Sequence, residues 1–205
     1  AEIDAAARET GRTGADITLV GASKMNDAAA CQEAIAAGID ALGENRVQEM
    51  TAKLAEDAYR GAPLHFIGHL QRNKVKQVVG KVALIQSIGS PELLAEVDKQ
   101  ADKLGIVQDI LMEVNIGGEE SKTGAAPELL WPLLDTAAAQ QHIRVKGLMA
   151  IPPVNDDDAQ NRRNLAQVYQ LIVRAGERGY HNVEMQTLSM GMSGDLEDAI
   201  AAGSD

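Results

Sequence analysis

The run ITLVGASKMND, Ile17 to Asp27, begins as an apolar strand and stops on a lysine. Burying a lone ammonium is costly, so a long cation at the end of a core strand needs a reason. A lysine held in a partly desolvated pocket has a lowered pKa, and its amine can then form a Schiff base with a carbonyl compound. Position favours Lys24 over its competitors. Lys146 stands early in its strand, before Gly147-Leu148-Met149-Ala150-Ile151, which puts it away from the strand end. Lys122 lies in the loop NIGGEESKTG, and Lys74 and Lys76, in QRNKVKQ, read as helix-surface residues. On position alone, a salt-bridged lysine at the rim accounts for Lys24 equally well.

The second constellation is LSMGMSGDLEDA, where Ser189, Gly191, Ser193 and Gly194 crowd a step from strand to helix. Small residues let backbone N–H groups approach an anion, and a helix N-terminus favours negative charge. The loop suits a phosphate, or else an ordinary capped turn with Ser193 as N-cap. No G-x-G-x-x-G or Walker pattern is present, which argues against a dinucleotide or nucleoside triphosphate. His65 and His69 flank a strand end rather than a helix face, a poor arrangement for zinc, and no metal site is expected. Asp156-Asp157-Asp158 reads as a helix start, where first-turn negative charge is favourable. Ser189 and Ser193 lack a His–Asp pair to make a triad. Cys31, in DAAACQEAIAAG, reads as a small packed helical residue.

These groups must be positioned by a chain of 205 residues with 45% hydrophobic content, enough for one sizeable core. The net charge of −11, with no basic block, argues against a nucleic-acid binder. A single cysteine rules out an internal disulfide and fits an intracellular, cytoplasmic setting. No apolar run reaches the roughly 18–20 residues of a membrane span.

Seven β-rich runs alternate with helical stretches: 17–23, 40–45, 64–68, 82–88, 108–116, 143–151 and 183–191. Several lack clean alternation, as parallel strands covered by helices on both faces do. Leu93, Leu94, Val97, Ala101 and Leu104 mark one helical face, and Leu129, Leu130, Leu133 and Leu134 another. A third carries Leu165, Val168, Tyr169, Leu171 and Ile172. Ser90-Pro91 is a helix start, and Gly38, Gly80, Gly105 and Gly179 mark stops. The rhythm suits an open doubly wound sheet or a (β/α)8 barrel, and ligands in either sit at the C-terminal strand ends. The sequence stops after the seventh strand and its helix, where a barrel would need an eighth. Both ends therefore read as cut short, since AEIDAAARETG enters mid-helix without a cap.

Six ordered motifs carry a resemblance over essentially the whole chain: ASK at 22–24, GENRVQE at 43–49, HFIGHLQRNKVK at 65–76, VNIGGEESKTG at 114–124, GLMAIPP at 147–153 and LSMGMSGDLEDAI at 188–200. Together they resemble the pyridoxal phosphate homeostasis protein family. The resemblance implies one domain over 1–205, a (β/α)8 barrel of the alanine-racemase N-terminal type whose last strand is absent from the sequence. It implies a protein that carries and buffers pyridoxal 5′-phosphate (PLP), held as an internal aldimine on Lys24, with no established catalytic turnover. Asn45 matches a residue at the cofactor edge and Met149 the wall beside the ring. Ser189, Gly191, Met192 and Ser193 match the phosphate-binding loop, and Lys122 a lysine near the pocket mouth used in handing PLP on. Apo PLP-enzymes are the implied recipients, and a monomer is expected. The sequence departs from the family pattern at Asn26, where a second lysine is usual. The missing strand would add phosphate contacts and an arginine. Two other functions share a lysine and a phosphate loop: a PLP-dependent amino-acid racemase or decarboxylase, and a Schiff-base aldolase. A racemase of this fold would need a second acid/base, and Tyr59, Tyr169 and Tyr180 all fall on helices or their ends.

Overall fold

The computed structural model describes residues 2–119, 123–153 and 157–205. All seven anticipated strands form: β1 (Val20–Ala22), β2 (Ala41–Glu44), β3 (Leu64–Phe66), β4 (Leu84–Ile88), β5 (Gln108–Glu113), β6 (Ile143–Met149) and β7 (Val183–Ser189). They make one parallel sheet in the order β1 to β7, each strand beside its sequence neighbour. This is the barrel order, and a doubly wound sheet with a reversal point is excluded. The helices are α1 (Glu2–Glu9), α2 (Ala28–Ala36), α3 (Val47–Ala55), α4 (Pro91–Leu104), α5 (Leu130–Ala138), α6 (Asp158–Gly176) and α7 (Leu196–Ala201). After β3 the link is a 3-10 segment, Arg72–Gln77, which carries Lys74 and Lys76.

The central strands β2 and β4 are buried at every position, as parallel strands between an interior and a helical layer must be. β7 is only half-buried along most of its length because it is an edge strand. Most apolar residues form one cluster between sheet and helices. A second, small cluster of Leu84, Leu111 and Met149 lies on the other face of the sheet, inside the curl.

Local signals act as their chemistry requires. Ser90 caps α4 by accepting from the Leu93 N–H at 3.2 Å, Pro91 opens the helix, and Gly105 ends it in the left-handed region at φ 65°. Asp157 caps α6 by accepting from Ala159 and Gln160, which accounts for the Asp157-Asp158 pair; Asp156 lies outside the described residues. Cys31 is buried in α2, and burial pushes its thiol pKa up. Three positions of the expected helix faces need correction. Leu104, Leu129 and Tyr169 are exposed. Leu104 is the last residue of its helix, Leu129 precedes α5 in a 3-10 turn, and Tyr169 sits on the flank of α6, beside Gly203.

β1 and β7 do not pair with each other among the described residues, yet residues of both line the same cavities, so the sheet curls until its edges face across a seam. Outside the seam α1 packs on α7 through Ala6, Ala7, Ile17 and Ile200. Arg12 joins them by donating to the carbonyls of Ser204 (2.8 Å) and Ile200 (2.5 Å). Ile17 is therefore spent on this cluster. The Leu19 N–H goes to the Asp40 carboxylate at 2.8 Å, so β1 starts only at Val20.

Candidate functional site

At the C-terminal mouth of the seam lies a cavity of about 400 Å³. Lys24, Asn45, Met149, Ser189, Gly191, Met192 and Ser193 all line it, so four strand ends with their loops, those of β1, β2, β6 and β7, deliver the seven candidates to one place. Lys122 lies outside the described residues.

Lys24 sits in the turn that ends β1. Ser23 N–H extends the pairing with β2 by donating to Gly43 O at 2.8 Å. The chain then folds back, with Asn26 N–H on Ser23 O at 3.1 Å. Met25 takes φ 62°, a left-handed conformation that costs a non-glycine residue roughly 1–2 kcal/mol and is concentrated at functional sites. Asp27 then caps α2 through the Ala30 N–H. The side chain of Lys24 is exposed at the mouth, which corrects the expectation of a partly desolvated lysine. Asn26 lies on the same exposed turn, with its amide on the Lys24 carbonyl at 3.1 Å.

The lysine that is buried here is Lys53 of α3, 7% exposed. Its Nζ donates to Glu44 Oε2 and to Ser23 O, both at 2.6 Å. Glu44, fully buried at the end of β2, also accepts from Ser23 Oγ (2.9 Å) and, through Oε1, from Asn45 N–H (2.9 Å). Such a pair is tolerable because its remaining hydrogen-bonding capacity is used; removing one partner alone would strand the other charge at a cost of about 3–5 kcal/mol. Glu49, also on α3, accepts from Met25 N–H at 3.1 Å. That bond, together with the Lys53 and Arg46 cations, holds its carboxyl below the usual range. Nearby Tyr59 is held neutral, its pKa raised first by burial and then by the Glu44 charge. Lys53 was readable in one respect: with Val47 and Met50 it occupies the buried stripe of α3, an inward position for a cation.

Asn45 is half-buried, and its Oδ1 is a buried acceptor without a partner. The loop after β3 passes over it so closely that a Cβ on Gly68 would run into the Asn45 carbonyl. Met149, with Leu84 and Leu111, gives the interior an apolar floor. Gln86 of β4 was missed in the sequence. Its Oε1 accepts from Ser189 Oγ at 2.6 Å, and its Nε2 lies 2.9 Å from His65 Nδ1. Burial lowers the His65 pKa, so the ring is favoured neutral, with Nδ1 as acceptor and the proton on Nε2. His65 thus serves a hydrogen-bond chain, and among the described residues no group of three potential ligands could hold a metal.

The loop after β7 needs Gly191 twice over. Its φ is 101°, and a Cβ there would stand 2.6 Å from Ala199 Cβ. α7 starts at Leu196 with Asp195 at the N-cap position, so Ser193 is not the cap; its hydroxyl lies exposed at the mouth. Asp195 accepts from Met192 N–H at 2.5 Å and is itself held by Asn161 at 3.3 Å. Lys146 does not line the cavity. It sits at a register shift in mid-β6 and pairs with Glu184.

Comparison with known proteins agrees with this geometry. The family described as alanine racemase, N-terminal domain, matches residues 11–205. A pyridoxal phosphate homeostasis protein from Aquifex aeolicus is 40% identical over 98% of this chain and 87% of its own length. The protein of that name from Pseudomonas aeruginosa is 36% identical over 99% and 86%. The structure of PipY from Synechococcus elongatus with PLP bound superposes with a TM-score of 0.84 at 30% identity, covering 100% of this chain and 95% of that one. Alanine racemase of Clostridium difficile, 14% identical with a TM-score of 0.75 over 95% of this chain and 49% of its own, shares the fold. The seven-strand parallel curl is thus the alanine-racemase N-terminal architecture, and the chain belongs to the pyridoxal phosphate homeostasis protein family.

Proposed function

We propose that this protein binds pyridoxal 5′-phosphate at the mouth of the seam, carries and buffers it, and so maintains vitamin B6 homeostasis. The observation that carries the reading is the convergence of Lys24, Asn45, Met149, Ser189, Gly191, Met192 and Ser193 on one cavity. Its volume lies in the usual range for small-ligand pockets, roughly 300–1,000 Å³. The relatives named for PLP homeostasis and the PLP-bound neighbour support it.

The residues fit the cofactor. PLP supplies an aldehyde that a lysine amine can capture and a phosphate that anchors it. Lys24 presents its amine at the open mouth, where a ligand can reach it. Ser189 and Ser193 offer hydroxyls, and Gly191 keeps the backbone close and free of side chain. Met149 gives an apolar surface for a ring, and Asn45 brings an acceptor that lacks a protein partner. Asp195 already occupies the Met192 N–H, so an incoming phosphate competes with that carboxylate for this donor. We take residues 1–205 as one PLP-binding barrel domain, a cytoplasmic monomer that hands PLP to apo PLP-enzymes, with Lys122 assisting release.

The test is direct. Purified protein mixed with PLP should absorb at visible wavelengths, and borohydride treatment followed by peptide mapping should place the pyridoxyl mass on Lys24. The Lys24→Ala protein should lose both signals. A wild-type protein that takes up no PLP, or one labelled elsewhere, would overturn the reading. Steady turnover of an amino acid at about 1 s⁻¹ or faster, in the ordinary enzyme range, would replace a carrier with a catalyst.

A further inference from the structure

We infer that Lys53 and Glu49 of α3, with Glu44 of β2, are the positioning residues that aim Lys24 into the cavity. The inference rests on the PLP reading above. Two peptide units bracket the Lys24 Cα, and each is gripped by a side chain from α3. The carbonyl before Lys24, Ser23 O, accepts from Lys53 Nζ at 2.6 Å. The N–H after it, on Met25, donates to Glu49 Oε2 at 3.1 Å. Holding both peptides fixes the backbone of Lys24 itself, and it holds Met25 in the left-handed conformation that an unconstrained methionine avoids. Glu44 completes the device. It takes Lys53 Nζ on one oxygen together with Ser23 Oγ, so the clamp is tied to β2 as well as to α3. Lys53 also lies 3.7 Å from Glu49, so the two grips are coupled through one helix face.

The arrangement answers a mechanical need. Lys24 is on a solvent-facing turn with a long side chain, and among the described residues no hydrogen bond or ion pair holds its amine. Precision must come from the backbone below, and a buried cation bonded to a carbonyl supplies it where a hydrophobic residue of equal size could not.

The test separates aim from stability. Glu49→Ala frees the Met25 N–H at a partly exposed position, and Lys53→Met keeps the stem while removing the ammonium. In stopped-flow mixing with PLP, covalent capture by Lys24 should slow about tenfold in either variant. Equilibrium affinity for pyridoxine 5′-phosphate, which has no aldehyde, should stay within about twofold of wild type. Glu49→Gln, which keeps an acceptor for Met25, should restore most of the capture rate. Amide exchange at Met25 should rise in Glu49→Ala with no PLP present. Capture at the wild-type rate in folded variants would overturn the inference, as would a parallel fall in affinity for the alcohol analogue. If Lys53→Met fails to fold, Glu49→Ala decides alone. If wild-type protein captures no PLP, the function above fails, and the clamp is judged separately. Lys24 labelling by acetic anhydride should then differ at least about threefold between wild type and Glu49→Ala; equal rates would end it.

Discussion

Ser189 and Gln86 show how one side chain sets what another presents to the candidate cavity. The Ser189 hydroxyl spends its proton on Gln86 Oε1, so toward the cavity it offers lone pairs, or a donor only after Gln86 yields. His65 holds the other end of the same amide. Ser189→Ala should remove a ligand contact and leave Gln86 half-satisfied, costing about 1–1.5 kcal/mol, or roughly tenfold in the PLP dissociation constant. Gln86→Leu should weaken binding to a similar degree, since Gln86 both lines the cavity and orients Ser189. Absorbance titration of both variants checks this; unchanged dissociation constants would remove the chain from the site. At this scale the sequence was uneven. Lys24 could be read because its strand end is local. Gln86 could not, and Lys53 only as an inward-facing cation on α3, since each matters through a partner, Ser189 or Glu44, that only folding brings near. Lys24 was also expected to be shielded, but the turn after β1 carries it outward and buries Lys53 beneath it.

The elements were more legible than their edges. All seven strands form, yet β1 is much shorter than its apolar run because Ile17 packs on α1 and α7. Apolarity reports burial, and burial against a helix looks the same in sequence as burial in a sheet. The alternative of Ser193 as a cap fails for a related reason: Ser193 and Asp195 are both capping types, and the loop's path puts Asp195 at the N-cap position, where its carboxylate takes the Met192 N–H instead of capping the helix. Glycines carry the constraints between elements. A Cβ on Gly147 of β6 would collide with the Thr187 carbonyl of β7, where the register of that strand pair shifts. Gly147→Ala should therefore destabilise by about 2–4 kcal/mol, lowering the melting temperature by roughly 5–15 °C for a chain of this size. Calorimetry decides, and a shift of a degree or less would mean the two strands relax apart freely.

Over the whole molecule, the β–α rhythm announced a parallel fold, while the curl that brings β1 opposite β7 is a property of strand twist summed over seven strands and has no local signature. The interior it creates is low in dielectric, and its charges carry a pH dependence. Glu113, at the end of β5, accepts one hydrogen bond from Thr123 (2.8 Å), and burial raises its pKa above 4.5. The native state therefore holds this proton more tightly than the unfolded chain. That contribution is fully present below pH 4.5 and is lost as pH rises through the folded pKa. Glu113→Gln should accordingly stabilise the protein at about pH 8 and leave it unchanged at about pH 4. Urea melts at the two pH values test the sign. Equal effects at both would assign the change to packing rather than charge. His65 works in the opposite sense: with its pKa lowered by burial, stability is lost as pH falls below 6.5.

The seam between β1 and β7 has a kinetic side. A ligand held as proposed, by Lys24 beyond β1 and by Ser189 and Ser193 at and beyond the end of β7, would act as a rivet between two strands that share no ladder of hydrogen bonds among the described residues. Its departure would then require Lys24 to let go at one strand end and the serine loop at the other. Dwell time would then follow the slower of the two releases, and a change at either strand end would hasten unloading without touching the other.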